Sequence, residues 1–152
     1  MSAISNSSVV GMSGRVVSGP ATSVRPAIVL AGRLFYSLIF LMTAAGHFSG
    51  KIVPYAAAAG VPLAWLAVPA SGVLAIAGGL SILLGYRARI GAWLLVLFLV
   101  PVTLMMHNFW AAKDPMVAQM QMMNFMKNLS MLGGALLIAQ FGAGPWSLDA
   151  RR

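Results

Sequence analysis

The fold is decided above all by the stretch from Ile90 to Phe109, which reads IGAWLLVLFLVPVTLMMHNF. It contains no Asp, Glu, Lys or Arg, and its length matches the roughly 20 residues that a helix needs to cross a bilayer. Three other stretches of similar length are also mainly apolar, at residues 27–48, 63–84 and 120–141. The pattern therefore predicts four transmembrane helices.

The composition of the whole chain agrees with a membrane protein. Of its 152 residues, 60% are hydrophobic and 8% are charged, and the mean hydropathy is +0.88. So few polar residues do not cover the surface of a soluble domain. We predict three parts: a flexible cytoplasmic N-terminal tail at residues 1–26, a four-helix membrane domain at 27–142, and a cytoplasmic C-terminal tail at 143–152.

The net charge of +8 is placed as in a membrane protein rather than as in a nucleic-acid-binding one. The two predicted outer loops contain only two basic residues, Lys51 and Lys113. The tails and the turn between the second and third spans hold most of the arginines. Because basic residues mark cytoplasmic loops, both termini are predicted to be cytoplasmic. The expected fold is an all-α, antiparallel four-helix bundle. We predict a multi-pass protein of the cytoplasmic (inner) membrane that contacts lipids and does not bind nucleic acid.

Cysteine is absent from the chain. Disulfides, thiolate nucleophiles and iron–sulfur clusters are therefore excluded within it. Any redox role requires a bound cofactor or a partner protein.

Polar side chains within the predicted spans are the best indication of function, since they are costly in lipid and usually face the protein interior. The predicted topology places several of them at one depth, in the outer half of the membrane, on three different helices. We predict that they line a polar pocket that binds a ligand. The candidate residues are His47, His107, Asn108, Asn124, Lys127 and Asn128.

Structural roles compete with this prediction. His47 and His107 are equally compatible with hydrogen bonds between helices, and Lys127 with a structural network in which Asp114 is its nearest acidic candidate. Arg33 and Lys51 are expected to extend to the membrane surface. Methionine and histidine side chains are suitable copper ligands, but the methionines are spread around the last span, which disfavours a copper site. A haem is disfavoured because it needs a large cavity in a small bundle, so no metal site is predicted.

Short motifs in order along the chain resemble the DoxX family of small membrane proteins. These are GRLFYSLIF (32–40), AGHF (45–48), GGLSILLG (78–85), HNFW (107–110), NFMKNL (124–129), GG (133–134) and SLD (147–149). The resemblance implies a four-span bundle and a link to membrane redox complexes that use quinones. Many members of that family carry a glutamate shortly before the paired glycines of the second span, where this chain has Ala75.

The resemblance makes a quinone-linked subunit of a membrane redox or detoxification complex the expected function, with other membrane or redox proteins as partners. In that case a quinone is the cofactor, and Lys127, His107 and His47 bind its carbonyl oxygens. A non-catalytic membrane scaffold or assembly factor is the alternative, and an oligomeric transporter of small solutes is the third. Whether the chain is an enzyme, and whether it forms a homo-oligomer, stay open at this point.

Overall fold

The structure is a computed structural model, and it describes residues 25–151. The residues predicted as an N-terminal tail lie, apart from the last two, outside this part. The described residues form five α-helices: α1 (Pro26–Ala44), α2 (Ile52–Ala58), α3 (Ala64–Leu84), α4 (Ala88–Met106) and α5 (Pro115–Phe141). Residues 25–151 contain no β-strand, so the predicted all-α class is confirmed.

Three helical segments of the described chain are long and apolar enough to cross a membrane: Pro26–Phe48, Ala64–Leu84 and Ala88–Ala111. The protein is therefore a multi-pass membrane protein. Helix α5 has 27 residues, which is ample length, but it carries more polar side chains than the other three. The fourth span, and the direction in which the helices cross the membrane, remain predictions.

Helices α3 and α4 are adjacent, as their short connection predicts, because only residues 85–87 join them. Gly85 and Arg87 adopt positive φ angles of 64° and 47° in this turn. Further along the pair, a Cβ atom on Gly78 would lie 2.8 Å from the carbonyl oxygen of Gly91, so the two backbones are in contact there. Small residues permit this close approach in lipid.

The helices pack in the order α1, α3, α4, α5. Aromatic side chains connect α1 to the two helices beyond α3. Phe40 of α1 meets Phe98 of α4 edge to face, with ring centroids 6.1 Å apart. Tyr36 of α1 donates a hydrogen bond of 2.7 Å to the carbonyl oxygen of Met131 in α5. The core between them consists of these rings and small or aliphatic side chains such as Leu95.

The segment after α5 folds back onto the turn between α3 and α4. The backbone nitrogen of Asp149 donates to the carbonyl oxygen of Gly85 at 2.8 Å. The Asp149 carboxylate accepts hydrogen bonds from the backbone nitrogens of Arg87, at 2.7 Å, and Ala88, at 3.0 Å. A residue distant in sequence thus caps the start of α4.

This segment also covers Arg33, whose side chain is only 4% exposed. The expectation that Arg33 extends to the membrane surface stays a prediction. The Nη2 atom of Arg33 donates to the carbonyl oxygen of Trp146 at 2.6 Å, and Asp149 is its acidic neighbour. The folded-back segment supplies an internal acceptor and covers the guanidinium.

Candidate ligand-binding site

A cavity of about 650 Å³ lies between α2, α3 and α4, next to the 3-10 turn Ala45–Phe48 that follows α1. Its walls are aliphatic, aromatic and thioether side chains at all but four positions. The four polar lining residues are His47, Tyr55, Ser71 and His107. The volume is typical of sites that bind small molecules.

Local sequence features shape this cavity. The 3-10 turn after α1 places His47 at the wall, and α4 ends at Met106, so that His107 is the first residue beyond the helix. Pro101 lies within α4 and removes one helical hydrogen bond where it lines the cavity. Ala70, Leu97 and Pro101 are exposed lining residues, so the cavity opens at the surface of the bundle between α3 and α4.

His47 is held by its Nδ1 atom. This atom lies 2.9 Å from the Ser71 hydroxyl oxygen, and that hydroxyl donates its own proton to the carbonyl oxygen of Val68 at 2.7 Å. The Ser71 oxygen must therefore accept, which assigns the imidazole proton to Nδ1. In the neutral ring, Nε2 is then a hydrogen-bond acceptor, and no described residue pairs with it.

The second histidine is held in the same way by α5. Nδ1 of His107 lies 2.8 Å from the side-chain oxygen of Gln121, which accepts hydrogen bonds only. The Gln121 amide nitrogen donates in turn to the Tyr55 hydroxyl at 2.8 Å. Nε2 of His107 is again an acceptor, and no described residue pairs with it. The residues that line this apolar cavity thus include two imidazoles whose Nε2 atoms have no described partner and one tyrosine hydroxyl.

His47 and Ser71 do not form a nucleophile and base of the kind used in acyl transfer. The Ser71 proton points to a backbone carbonyl, and both carboxylates of the chain serve elsewhere, Asp114 at the start of α5 and Asp149 at the start of α4. Within residues 25–151, no group of three or more His, Cys, Asp or Glu side chains is arranged to hold a metal ion. The arrangement is suited to binding.

The structure brings together only two of the six predicted site residues, His47 and His107. Asn108, Asn124, Lys127 and Asn128 do not line the cavity. The Lys127 ammonium group donates to the Asn124 side chain at 3.1 Å, and Lys127 is exposed, whereas Asn128 is buried. For the three residues on α5, Asn124, Lys127 and Asn128, the physical reason is the order of packing, because α4 lies between α5 and α3.

Tyr55, Ser71 and Gln121 take part in the site although none of them is among the six predicted site residues. Ser71 is the single hydroxyl in the N-terminal half of α3, one turn beyond Val68, and its only signal is that polarity in an apolar helix. Gln121 acts from outside the cavity by orienting His107. Nothing in the spacing of α5 pairs Gln121 with either His107 or Tyr55, so these contacts depend on the tertiary structure.

An all-helical, multi-pass membrane protein with an apolar cavity is the class that this fold and site define. The sequence profile described as the SURF4 family matches residues 19–152. The chain therefore belongs to the SURF4 family, and the predicted membership of the DoxX family was wrong. The motifs behind that prediction include glycines such as Gly78 that close helix contacts require. Packing in lipid selects such small residues in other bundles too.

Two similar proteins come from Escherichia coli. Inner membrane protein YphA is 32% identical over 129 residues, which cover 84% of this chain and 91% of YphA. Inner membrane protein YqjF is 31% identical over 123 residues, covering 80% and 88%. The ER-derived vesicles protein ERV29 of Saccharomyces cerevisiae is 29% identical over 125 residues, but this chain spans only 34% of its length. No solved structure matches.

Proposed function

We propose that this protein is a non-catalytic binding protein of the inner membrane, and that its outer cavity takes an amphipathic molecule with an apolar body and a hydroxyl head group. The observation that carries this proposal is the pair of imidazoles, each anchored through Nδ1 and each with no described partner at Nε2, on two residues that line an apolar cavity. The inner-membrane location is supported by the names of two relatives.

The head group follows from the hydrogen-bonding capacity of the site. An acceptor nitrogen in apolar surroundings is satisfied by a donor, and a hydroxyl supplies one where a carbonyl oxygen does not. Alcohols and quinols therefore suit the neutral site better than the quinone carbonyls predicted from sequence. Electron transfer is not part of the proposal, because it depended on the resemblance to the DoxX family.

The ligand has a route from the membrane. The exposed residues Ala70 and Leu97 border the cavity on the outside of the bundle, where lipid tails surround a membrane protein. An amphipathic molecule dissolved in the bilayer can enter sideways without crossing water. For a ligand with an apolar body that makes one or two hydrogen bonds, we expect a dissociation constant in the micromolar range, which is a binding free energy of about −8 kcal/mol.

A binding titration tests the proposal. Farnesol should bind saturably to the purified protein in mild detergent. Its methyl ether, which has no hydroxyl proton, should bind roughly tenfold more weakly, which is a loss of about 1.4 kcal/mol in binding free energy. Ala70→Phe should fill the mouth of the cavity and weaken farnesol binding by a similar factor. Native mass spectrometry of the protein extracted from its membrane would show which natural molecule is retained.

Ala77→Phe is the matched control, since Ala77 is exposed two turns along the same helix and does not line the cavity. It should leave binding unchanged. Equal binding of farnesol and its ether would contradict the role of the imidazoles. Binding that Ala70→Phe does not alter would place the ligand elsewhere.

A further inference from the structure

The outward-facing surface of α5 differs in chemistry from those of the other long helices. Between their ends, α1, α3 and α4 expose mainly apolar side chains, such as Leu38, Val73 and Leu97. Helix α5 instead exposes two glutamines, a lysine, a serine and a glycine along with its methionines and leucines. Polar side chains that face lipid are costly and are normally covered by protein.

Part of this surface forms a regular stripe, which we call the α5 seam. Its residues recur at alternating steps of four and three, and every one of them is exposed. They are Gln119, Met123, Met126, Ser130, Gly133, Leu137 and Gln140. This spacing is that of two helices packed side by side with a crossing angle near +20°.

The middle of the α5 seam is shaped for close approach. A Cβ atom on Gly133 would meet nothing within 4 Å, so the space in front of it is open. The Ser130 hydroxyl is satisfied within its own helix, where it donates to the carbonyl oxygen of Met126 at 3.0 Å. Small residues at such positions allow backbones to pack tightly in a bilayer.

We propose that two copies of this chain associate in parallel through the α5 seam. Copies inserted in the same direction are related by a two-fold axis along the membrane normal, so each seam residue meets its own equivalent. Glutamine amides both donate and accept, and therefore pair with themselves. Gln119 and Gln140 are 21 positions apart, about 31 Å along a helix, so the two amide pairs lie near the two edges of the apolar layer.

The charges of the molecule do not oppose the association of two copies. Lys127 follows the seam residue Met126 and so points about 100° away from it, which keeps the two ammonium groups of a dimer off the axis. Its ammonium group already donates to Asn124. Neither acidic residue of the chain lies in the seam, and the seam itself carries no charge that requires an opposite one.

The test uses two adjacent glycines. Gly133→Leu places a bulky side chain in the seam but meets nothing within the monomer, so it should raise the dissociation constant of the dimer in detergent by at least about tenfold and leave the thermal midpoint of the diluted monomer unchanged. At Gly134 a Cβ atom would lie 2.7 Å from the Tyr36 ring, so Gly134→Leu should instead lower the thermal midpoint. A wild-type protein that is monomeric at all concentrations would overturn the proposal.

Cross-linking in membranes locates the contact independently, because the chain has no cysteine of its own. Oxidation should join two copies of the Ser130→Cys variant about tenfold more efficiently than two copies of Leu136→Cys, which is exposed on the same helix but outside the seam. Equal yields would mean that the seam is not the contact. A cross-link from Ser130→Cys to a different protein would refute a second copy as the occupant.

Discussion

Two carboxylates in a chain of 152 residues both serve as helix caps. Asp114 accepts hydrogen bonds from the backbone nitrogens of Met116, at 2.8 Å, and Val117, at 3.0 Å, at the start of its own helix. Asp149 does the same for α4 from the far end of the chain. At the residue scale, both acidic side chains of this protein therefore satisfy backbone donors at helix starts, which have no acceptor within their own helix.

The cap at Asp149 leads to a stability prediction. Asp149→Ala removes both acceptors from the start of α4 and the acidic neighbour of Arg33, and should lower the free energy of unfolding by about 1–2 kcal/mol. Asp149→Asn keeps one acceptor oxygen, so its free energy of unfolding should lie between those of Asp149→Ala and the wild type. The thermal midpoint in mild detergent measures this order. An unchanged midpoint in Asp149→Ala would show that the C-terminal segment does not stabilise the turn.

At the element scale, glycine positions decide how closely the helices pack. Gly78 and Gly91 bring α3 and α4 into backbone contact, and Gly134 receives the Tyr36 ring against α5. These contacts fix the position of α4, which lies between the cavity and α5. Helix α5 itself starts at Pro115, five residues before the predicted span, because an aspartate cap followed by proline is a strong start signal.

The same substitution at two glycines should have opposite effects on stability. Gly78→Ala adds a methyl group 2.6 Å from Leu95 and 2.8 Å from a carbonyl oxygen, so α3 and α4 must separate, at a cost of about 1–3 kcal/mol. Gly133→Ala meets nothing in its own chain and should be neutral or stabilising by up to about 1 kcal/mol, since alanine favours helix. Thermal midpoints of the two variants, measured in detergent at a dilution where the protein is monomeric, distinguish them. A midpoint for Gly78→Ala at or above that of Gly133→Ala would contradict the close contact of α3 and α4.

At the scale of the whole molecule, the open question is how the helices cross the membrane. Three segments are long and apolar enough to span it, and the arginines predict both termini on the cytoplasmic side, which requires α5 as a fourth span. In that orientation the cavity opens in the outer half of the membrane and the Asp149 cap lies at the cytoplasmic surface. Both expectations change sides together if the orientation is reversed.

Single cysteines test this orientation. In intact cells, Lys113→Cys should react with a membrane-impermeant thiol reagent, and Ala150→Cys should react only after the membrane is permeabilised. Both positions are exposed in the structure, so protection reflects the membrane rather than burial. The reverse pattern would place the termini outside, and reaction at both positions in intact cells would mean that α5 does not cross.

The sequence by itself determined the features that depend on local pattern. Apolar stretches of sufficient length marked α1, α3 and α4, and the short connection made α3 and α4 neighbours. Such features follow from the length and periodicity of single elements, for which a bilayer sets strict conditions. The family could not be recognised from short motifs, because packing in lipid places the same small residues in different bundles.

Only the tertiary structure decided which polar residues meet. The sequence predicts that His47, His107 and Lys127 lie at one depth, but helical periodicity does not show which neighbouring helix each of them meets. The position of α4 puts the two histidines into one cavity and leaves Lys127 outside it. Likewise, Arg33 is buried because the last residues of the chain return to cover it, a contact across 113 positions that no local pattern encodes.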